Sequence, residues 1–100
     1  MAAGQCCDNL KTGLTGGWRA LSRAQIENEQ GMFEDWIISE LVDRELSYQG
    51  LKIRKVMKQM VNGTNYCLSF QVGKKVYSMR VYQPLRADAD PEVVYFLSCK

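Results

Sequence analysis

The chain has 100 residues, of which 46% are apolar and 24% charged, with a formal net charge of +2. A chain of this length can bury one two-layer core, and the balance is typical of a globular domain rather than a disordered segment. The weak charge, with both signs interspersed, argues against a nucleic-acid partner. No stretch approaches the about 18 apolar residues of a membrane span, so no membrane partner is expected.

Residues 1–13 show no sustained apolar periodicity and are expected to form a flexible N-terminal tail, followed by one domain over residues 14–100. The first residues are polar where a signal peptide would need an apolar run. The default expectation is therefore a cytoplasmic protein.

The four cysteines fit that expectation. Cys6 and Cys7 are neighbours and make poor partners for one bridge. Cys67 and Cys99, if a third strand separates them, would lie about twice the 4.8 Å strand spacing apart, beyond disulfide reach. Reduced thiols are the expected state, with oxidation or interchain cross-linking of Cys6 and Cys7 as the alternative. Because the chain has no histidine and no Cys-x-x-Cys pair, we expect no metal site and no cofactor.

A long helix is predicted from Ser22 to about residues 46–49. Ser22 is a suitable N-cap, and Gln25 completes a capping box. Apolar residues at helical spacing predict one buried face: Ile26, Phe33, Ile37 and Leu41. Gly31 weakens the pattern, and Gly50 is the predicted stop signal.

After Gly50 the apolar period changes to two, which predicts four antiparallel strands. Asn62-Gly63 lies between the first two runs and is typical of a type I′ hairpin turn. A polar loop between Pro84 and Pro91 precedes the last strand, and a short strand before the helix is possible near residues 18–21. We therefore expect an α+β fold, with one long helix packed on a four- to five-stranded antiparallel sheet.

The same residues argue against an enzyme. Without histidine, no Ser/His or Cys/His pair can form, and the carboxylates are scattered rather than paired. No glycine-rich loop has the form that binds phosphate. The sequence therefore predicts no catalytic residues and directs attention to binding by loops on a rigid scaffold.

One segment resembles a known family. The run Gln59-Met60-Val61-Asn62-Gly63, continued by Thr64-Asn65-Tyr66, is similar to the cystatin signature Gln-x-Val-x-Gly, and in particular to its stefin (type 1) branch. Gly17 precedes this run at about the separation at which stefins place their N-terminal glycine. The strand ending at Gln83 is similar to the family's strand before its second hairpin. The resemblance implies the cystatin fold and reversible, tight-binding competitive inhibition of papain-like cysteine proteases of the cathepsin L, S, H and B class.

In that family a wedge of an N-terminal trunk and two hairpin loops occludes the protease's active-site cleft without presenting a cleavable bond. Carried over to this chain, the protease-binding residues would be Leu14, Thr15, Gly16 and Gly17 in the trunk, Gln59, Met60, Val61, Asn62 and Gly63 in the first loop, and Pro84 and Leu85 in the second. A glycine in the first loop would let its backbone approach the cleft wall. The order Pro84-Leu85 differs from the Leu-Pro usual in stefins and the Pro-Trp of secreted cystatins.

Three alternatives stay open. The chain could be a cystatin-fold protein-binding module that has lost protease inhibition. It is expected to be mostly monomeric, but the hairpin could mediate a domain-swapped dimer, as in stefins. Asn62-Gly63-Thr64 also has the form of an N-glycosylation sequon; a cytoplasmic protein would not use it, and a glycan there would obstruct the wedge.

Overall fold

The structure is a computed structural model that describes residues 6–7, 17–86 and 88–99. Its elements follow the chain as β1 (Arg19–Ala20), α1 (Arg23–Asn28), α2 (Gln30–Asp43), β2 (Lys52–Val61), β3 (Gly63–Val72), β4 (Lys75–Gln83) and β5 (Glu92–Ser98). The five strands form one antiparallel sheet in chain order. The helices pack on one face of this sheet. The predicted α+β class is confirmed, and the architecture is consistent with the cystatin fold.

The helix begins as predicted. The Gln25 backbone N–H donates to Ser22 Oγ at 3.1 Å, and the Ser22 backbone N–H donates to Gln25 Oε1 at 2.8 Å. Together these two bonds satisfy backbone donors at the helix start. A break at Glu29, with φ −122° and ψ 24°, divides the predicted single helix into α1 and α2. The Phe33 N–H still donates to the Glu29 carbonyl at 3.1 Å, so the two helices follow one another closely.

The helix ends earlier than predicted, at Asp43, and Gly50 is not its stop. The Leu46 N–H donates to the Leu41 carbonyl at 2.8 Å, and the Glu45 N–H donates to the Val42 carbonyl at 3.0 Å. This pattern is the Schellman motif, in which the residue after the C-cap is left-handed. Glu45 occupies that position with φ 59°, where glycine is the usual residue. Leu46, the next residue, packs against the core, so burial of its side chain offsets the backbone cost.

We expect Glu45→Gly to stabilise the protein by about 1 kcal/mol, because glycine adopts a positive φ without a Cβ clash. The measurement is the urea midpoint of unfolding followed by circular dichroism. Glu45→Ala is the matched control: it removes the same carboxylate but keeps the Cβ, and should give no such gain. Equal midpoints for the two variants would contradict this account of the helix end.

The main core lies between the helices and the inner face of the sheet. The predicted helical stripe supplies one wall: Ile26, Phe33, Ile37 and Leu41, all buried. Alternate residues of the strands supply the other: Val56, Tyr66, Leu68, Phe70, Tyr77, Met79 and Val81. The Tyr66 ring lies 5.5 Å from the Phe33 ring and 5.3 Å from the Trp36 ring, between centroids. Burial raises the pKa of the Tyr66 phenol, and the negative charge of Glu29 raises it further.

Two disulfides join the N-terminus to the sheet, so the expectation of reduced thiols is wrong. Cys6 is bonded to Cys99, and Cys7 is bonded to Cys67. Cys67 and Cys99 are not bonded to each other, as expected. The partners in the two bridges are 93 and 60 residues apart in the chain, and no local pattern places Cys6 and Cys7 beside the sheet. The Cα–Cα distances of 6.1 and 5.7 Å lie within the usual disulfide range.

Cys7 and its partner lie on the outer face of the sheet, opposite the helices. Cys7, Cys67, Trp18 and Met57 form a second buried cluster there. The Cys7 N–H donates to Ser78 Oγ at 2.9 Å. Cys6 and Cys7 therefore belong to the body of the domain, although the predicted division at residue 13 places them in the tail. The chain-entropy model credits such long-range bridges with about 2–5 kcal/mol each.

Candidate functional site

Three chain segments meet at one end of the sheet, along the edge that is formed by the ends of its strands. The first lies at the start of β1, whose Arg19 pairs with Lys58 of β2. Continuing this antiparallel register by two residues places Gly17 level with Met60. The second segment is the β2–β3 hairpin, in which Val61 pairs with Gly63 and Asn62 stands at the tip.

The third segment is the loop from β4 to β5. Gln83 at the end of β4 pairs with Thr64 at the start of β3, so Pro84 leaves the sheet beside the hairpin tip. Gly17, the first loop and Pro84-Leu85 therefore share one edge, as the resemblance implies. Leu14, Thr15 and Gly16 lie outside the described residues.

Three apolar side chains at this edge are solvent-exposed: Met60 by 63%, Val61 by 48% and Leu85 by 73%. Met60 and Val61 end β2 at the hairpin, Leu85 lies in the β4–β5 loop, and we name the three together the apolar edge. Large apolar side chains grouped at exposed loops are typical of contact surfaces rather than of structural positions. The apolar edge is therefore the best candidate binding surface in the described part of the chain.

The hairpin differs from the predicted type I′ turn. A type I′ turn needs positive φ at both central residues, but φ is positive at Gly63 alone (113°) and not at Asn62. The two strands pair up to Val61 and Gly63, which leaves Asn62 as the single linking residue. The glycine is thus required by the backbone, although not by the turn that the sequence suggested.

Tyr82 holds this tip closed. Its hydroxyl donates to the Asn62 carbonyl oxygen. A Cβ on Gly63 would lie 2.5 Å from the Tyr82 hydroxyl oxygen and 2.8 Å from the Gln83 carbonyl oxygen. Gly63 is therefore buried against β4 and needed for packing within the chain, whatever a protease would require. Sequence reasoning missed Tyr82; its one signal was an aromatic ring two residues before Pro84.

Gln59 also has a partner within the domain. The Asn65 side-chain amide donates to Gln59 Oε1 at 2.9 Å, and the two residues face each other across the β2–β3 ladder. The two ends of the motif, Gln59 and Gly63, thus stabilise the hairpin. The middle residues, Met60, Val61 and Asn62, are the exposed ones.

The second loop is polar beyond Leu85. Arg86 and Asp88 form an ion pair at 3.0 Å, and both side chains are largely exposed. Exposed pairs of this kind stabilise little. The Ala89 N–H donates to the Arg86 carbonyl at 3.2 Å, which bends the loop back after Leu85. Leu85 is the apolar side chain that this loop presents.

The described residues contain no cluster of three or more histidine, cysteine or acidic side chains able to hold a metal ion. A groove of about 370 Å³ lies elsewhere, between α2 and the start of β5, with Trp36 and Val93 in its lining. Its lining contains none of the residues predicted to bind a protease. What the apolar edge offers chemically is contact through backbone and apolar side chains.

No family model, curated protein or solved structure matches the chain. The resemblance to cystatins therefore stays a hypothesis, supported by the motif and by an architecture consistent with the fold.

Gly63→Ala should destabilise the protein by about 1–3 kcal/mol, because it adds a Cβ against Tyr82 and Gln83 at an unfavourable φ. Chemical denaturation of the variant, of Tyr82→Ala and of the double variant forms a double-mutant cycle. Removing the Tyr82 ring should relieve part of the cost, leaving the backbone clash and strain. Gly31, with no atoms close to a Cβ, is the matched control site for a Gly→Ala change. Strict additivity of the two changes would contradict the proposed contact.

Proposed function

We propose that the chain is a reversible, competitive inhibitor of papain-like cysteine proteases of the cathepsin class, and not an enzyme. One observation carries the proposal. Gly17 and the segments that the cystatin resemblance assigns to the first and second loops are adjacent at one edge of the sheet, with Met60, Val61 and Leu85 exposed there.

The mechanism proposed is occlusion of the protease's cleft. Tyr82 and the β2–β3 ladder hold the tip around Asn62 in a closed turn before any partner arrives. A preorganised tip loses little conformational entropy on docking, which favours tight binding. The same closed turn keeps its peptide bonds out of the extended form in which a substrate would be cut.

Burial of the apolar edge would supply most of the binding free energy. Met60 and Val61 would enter the primed side of the cleft together, with Leu85 beside them. Full burial of a Val, Leu or Met side chain contributes about 1.5–3 kcal/mol. Pro84 and Leu85 are therefore proposed contacts despite their unusual order.

The trunk is proposed to fill the non-primed subsites, with Leu14 as the side chain for an apolar subsite and Thr15 and Gly16 beside it. Gly17 connects it to Trp18, which is only 8% exposed and belongs to the buried cluster of Cys7 and Cys67. The C-terminal end of the trunk is therefore fixed close to the hairpin.

The disulfides are relevant to the cellular compartment in which the protein acts. The cytoplasmic location was expected from the polar first residues, and reduced cysteines were expected to agree with it; the structure removes that second support because all four cysteines are paired. Persistent disulfides belong to oxidising compartments, and we propose that this protein acts in one. In the part of the chain that the structure describes, no helix is long and apolar enough to cross a membrane.

Inhibition of papain tests the proposal directly. The purified, oxidised protein should abolish papain activity when titrated at micromolar concentration, reversibly and in competition with substrate. Absence of inhibition at that concentration would refute the proposed function.

A second series of experiments uses substituted variants to test which surface of the protein contacts the protease. Val61→Lys and Leu85→Lys should each weaken inhibition roughly thirtyfold, the equivalent of about 2 kcal/mol. Val42→Lys is the matched control, since Val42 is 54% exposed on α2, away from the edge. A similar loss for Val42→Lys would place the contact elsewhere. Gly63 substitutions and deletion through Gly17 are poorer tests, because the first disturbs packing and the second removes Cys6 and Cys7.

The disulfides also favour the expected monomer. In a dimer swapped at the hairpin, everything before Asn62 would exchange places with its counterpart in a second chain. Cys6 and Cys7 lie before that hinge, whereas Cys67 and Cys99 lie after it. Bridges formed within one chain therefore tie the two exchanging halves together and oppose the swap.

On size-exclusion chromatography after mild heating, the oxidised protein should stay monomeric. A variant with all four cysteines replaced by serine should form a larger fraction of dimer under the same treatment. Equal dimer fractions would show that the bridges do not restrain the exchange. A dimer of the oxidised protein that survives denaturant and separates only with reductant would show bridges formed between chains.

The alternative, a binding module without inhibitory activity, is favoured by one observation. Cys6 and Cys7 are bonded to Cys99 and Cys67, a feature that the stefin resemblance does not imply. A partner captured equally by wild type and Val61→Lys, with papain unaffected by either, would support this second function.

A further inference from the structure

The tip of the first loop carries a complete acceptor sequence for N-linked sugar. Asn62-Gly63-Thr64 fits Asn-x-Ser/Thr, in which any residue but proline stands in the middle. The expected cytoplasmic location was the objection to its use. The paired cysteines point instead to an oxidising compartment, and in eukaryotes the disulfide-forming compartment is also the one in which such sequences are glycosylated.

The folded hairpin leaves room for a glycan at Asn62. Asn62 is exposed and stands alone at the turn. Its backbone carbonyl accepts the Tyr82 hydroxyl, but among the described residues no hydrogen bond engages its side-chain amide. A sugar on that amide would project into solvent and would break no contact that holds the hairpin.

We propose that Asn62 is an N-glycosylation site. The Asn62 amide nitrogen attacks the anomeric carbon of an oligosaccharide carried on a lipid diphosphate. The new C–N bond forms as the C–O bond to phosphate breaks; the lipid diphosphate leaves, and the amide loses one proton. The transfer precedes closure of the hairpin, since in the folded chain Gly63 is buried and Thr64 is paired with Met60.

The glycan would also determine which partners can contact the apolar edge. Met60 and Val61 directly precede Asn62, so a branched sugar at the tip stands between them and any narrow cleft. This consequence rests on the proposed function. The protein would then exist as an unglycosylated form that inhibits papain-like proteases and a glycosylated form that does not.

The first experiment measures occupancy. The full chain is produced behind a cleavable leader in cultured animal cells, and its intact mass is compared with that of Thr64→Val and Thr64→Ser. Wild type and Thr64→Ser should carry the added mass of an N-glycan, and Thr64→Val, which keeps the branched shape but lacks the hydroxyl, should not. Wild type at its bare polypeptide mass, with both disulfides formed, would overturn the proposal.

The second experiment assigns the site. An endoglycosidase that leaves one N-acetylglucosamine marks the modified asparagine, and peptide mapping should find that sugar on Asn62. This label distinguishes a former glycan from deamidation, to which Asn-Gly sequences are prone. A sugar found only on another residue would contradict the assignment.

The third experiment separates this inference from the proposed function. Papain is titrated with the glycosylated protein, with the same sample after an endoglycosidase has trimmed the sugar to one N-acetylglucosamine on Asn62, and with unglycosylated protein. Inhibition should be weakened at least tenfold by the full glycan and largely recovered on trimming. Equal inhibition by all three forms would reject the blocking role. If even the unglycosylated protein does not inhibit papain, the proposed function is rejected, but the mass result stands.

Discussion

The register between β2 and β3, whose strands are joined at Asn62 and Gly63, determines which residues lie on each face of the sheet. Because side chains alternate along a strand, a slip of one residue would exchange every inward and outward position. In the observed register Tyr66 and Leu68 face the helices, whereas Cys67 between them faces outward and meets Cys7. One pairing thus determines both the core and the disulfide partner. The β2–β3 pairing can end at Gly63 because glycine has no Cβ, since any side chain there would collide with β4.

The outer face of the sheet ties distant parts of the chain to the hairpin. Trp18, next to the trunk, packs with Cys7 and Cys67 in one small buried cluster. Reduction would release the N-terminus from the sheet and also loosen the start of β1, which pairs with β2 near the hairpin tip. The stability of the domain and the shape of its candidate binding edge are therefore both linked to the oxidation state of the cysteines.

Protease docking and glycosylation would compete for the same few residues. The exposed part of the motif is short, because Gln59 and Gly63 are engaged within the domain. What remains for a partner is the pair of apolar side chains before Asn62, with Leu85 from the neighbouring loop. A sugar on Asn62 lies at the tip of this surface, so one modification would be sufficient to change which partners can approach it.

Features that depend on local interactions were predictable from the residues alone: the capping box at Ser22, the apolar stripe of the helix, the alternation of the strands and the position of the hairpin. These signals depend on residues close together in the chain. The helix end, the turn geometry at Gly63 and the pairing of the cysteines were decided by tertiary structure. Glu45 becomes left-handed because Leu46 packs on the core, and Gly63 is needed because Tyr82 covers it. Cys6 and Cys7 find their partners because they lie against the outer face of the sheet, a contact between residues far apart in sequence that no local pattern encodes.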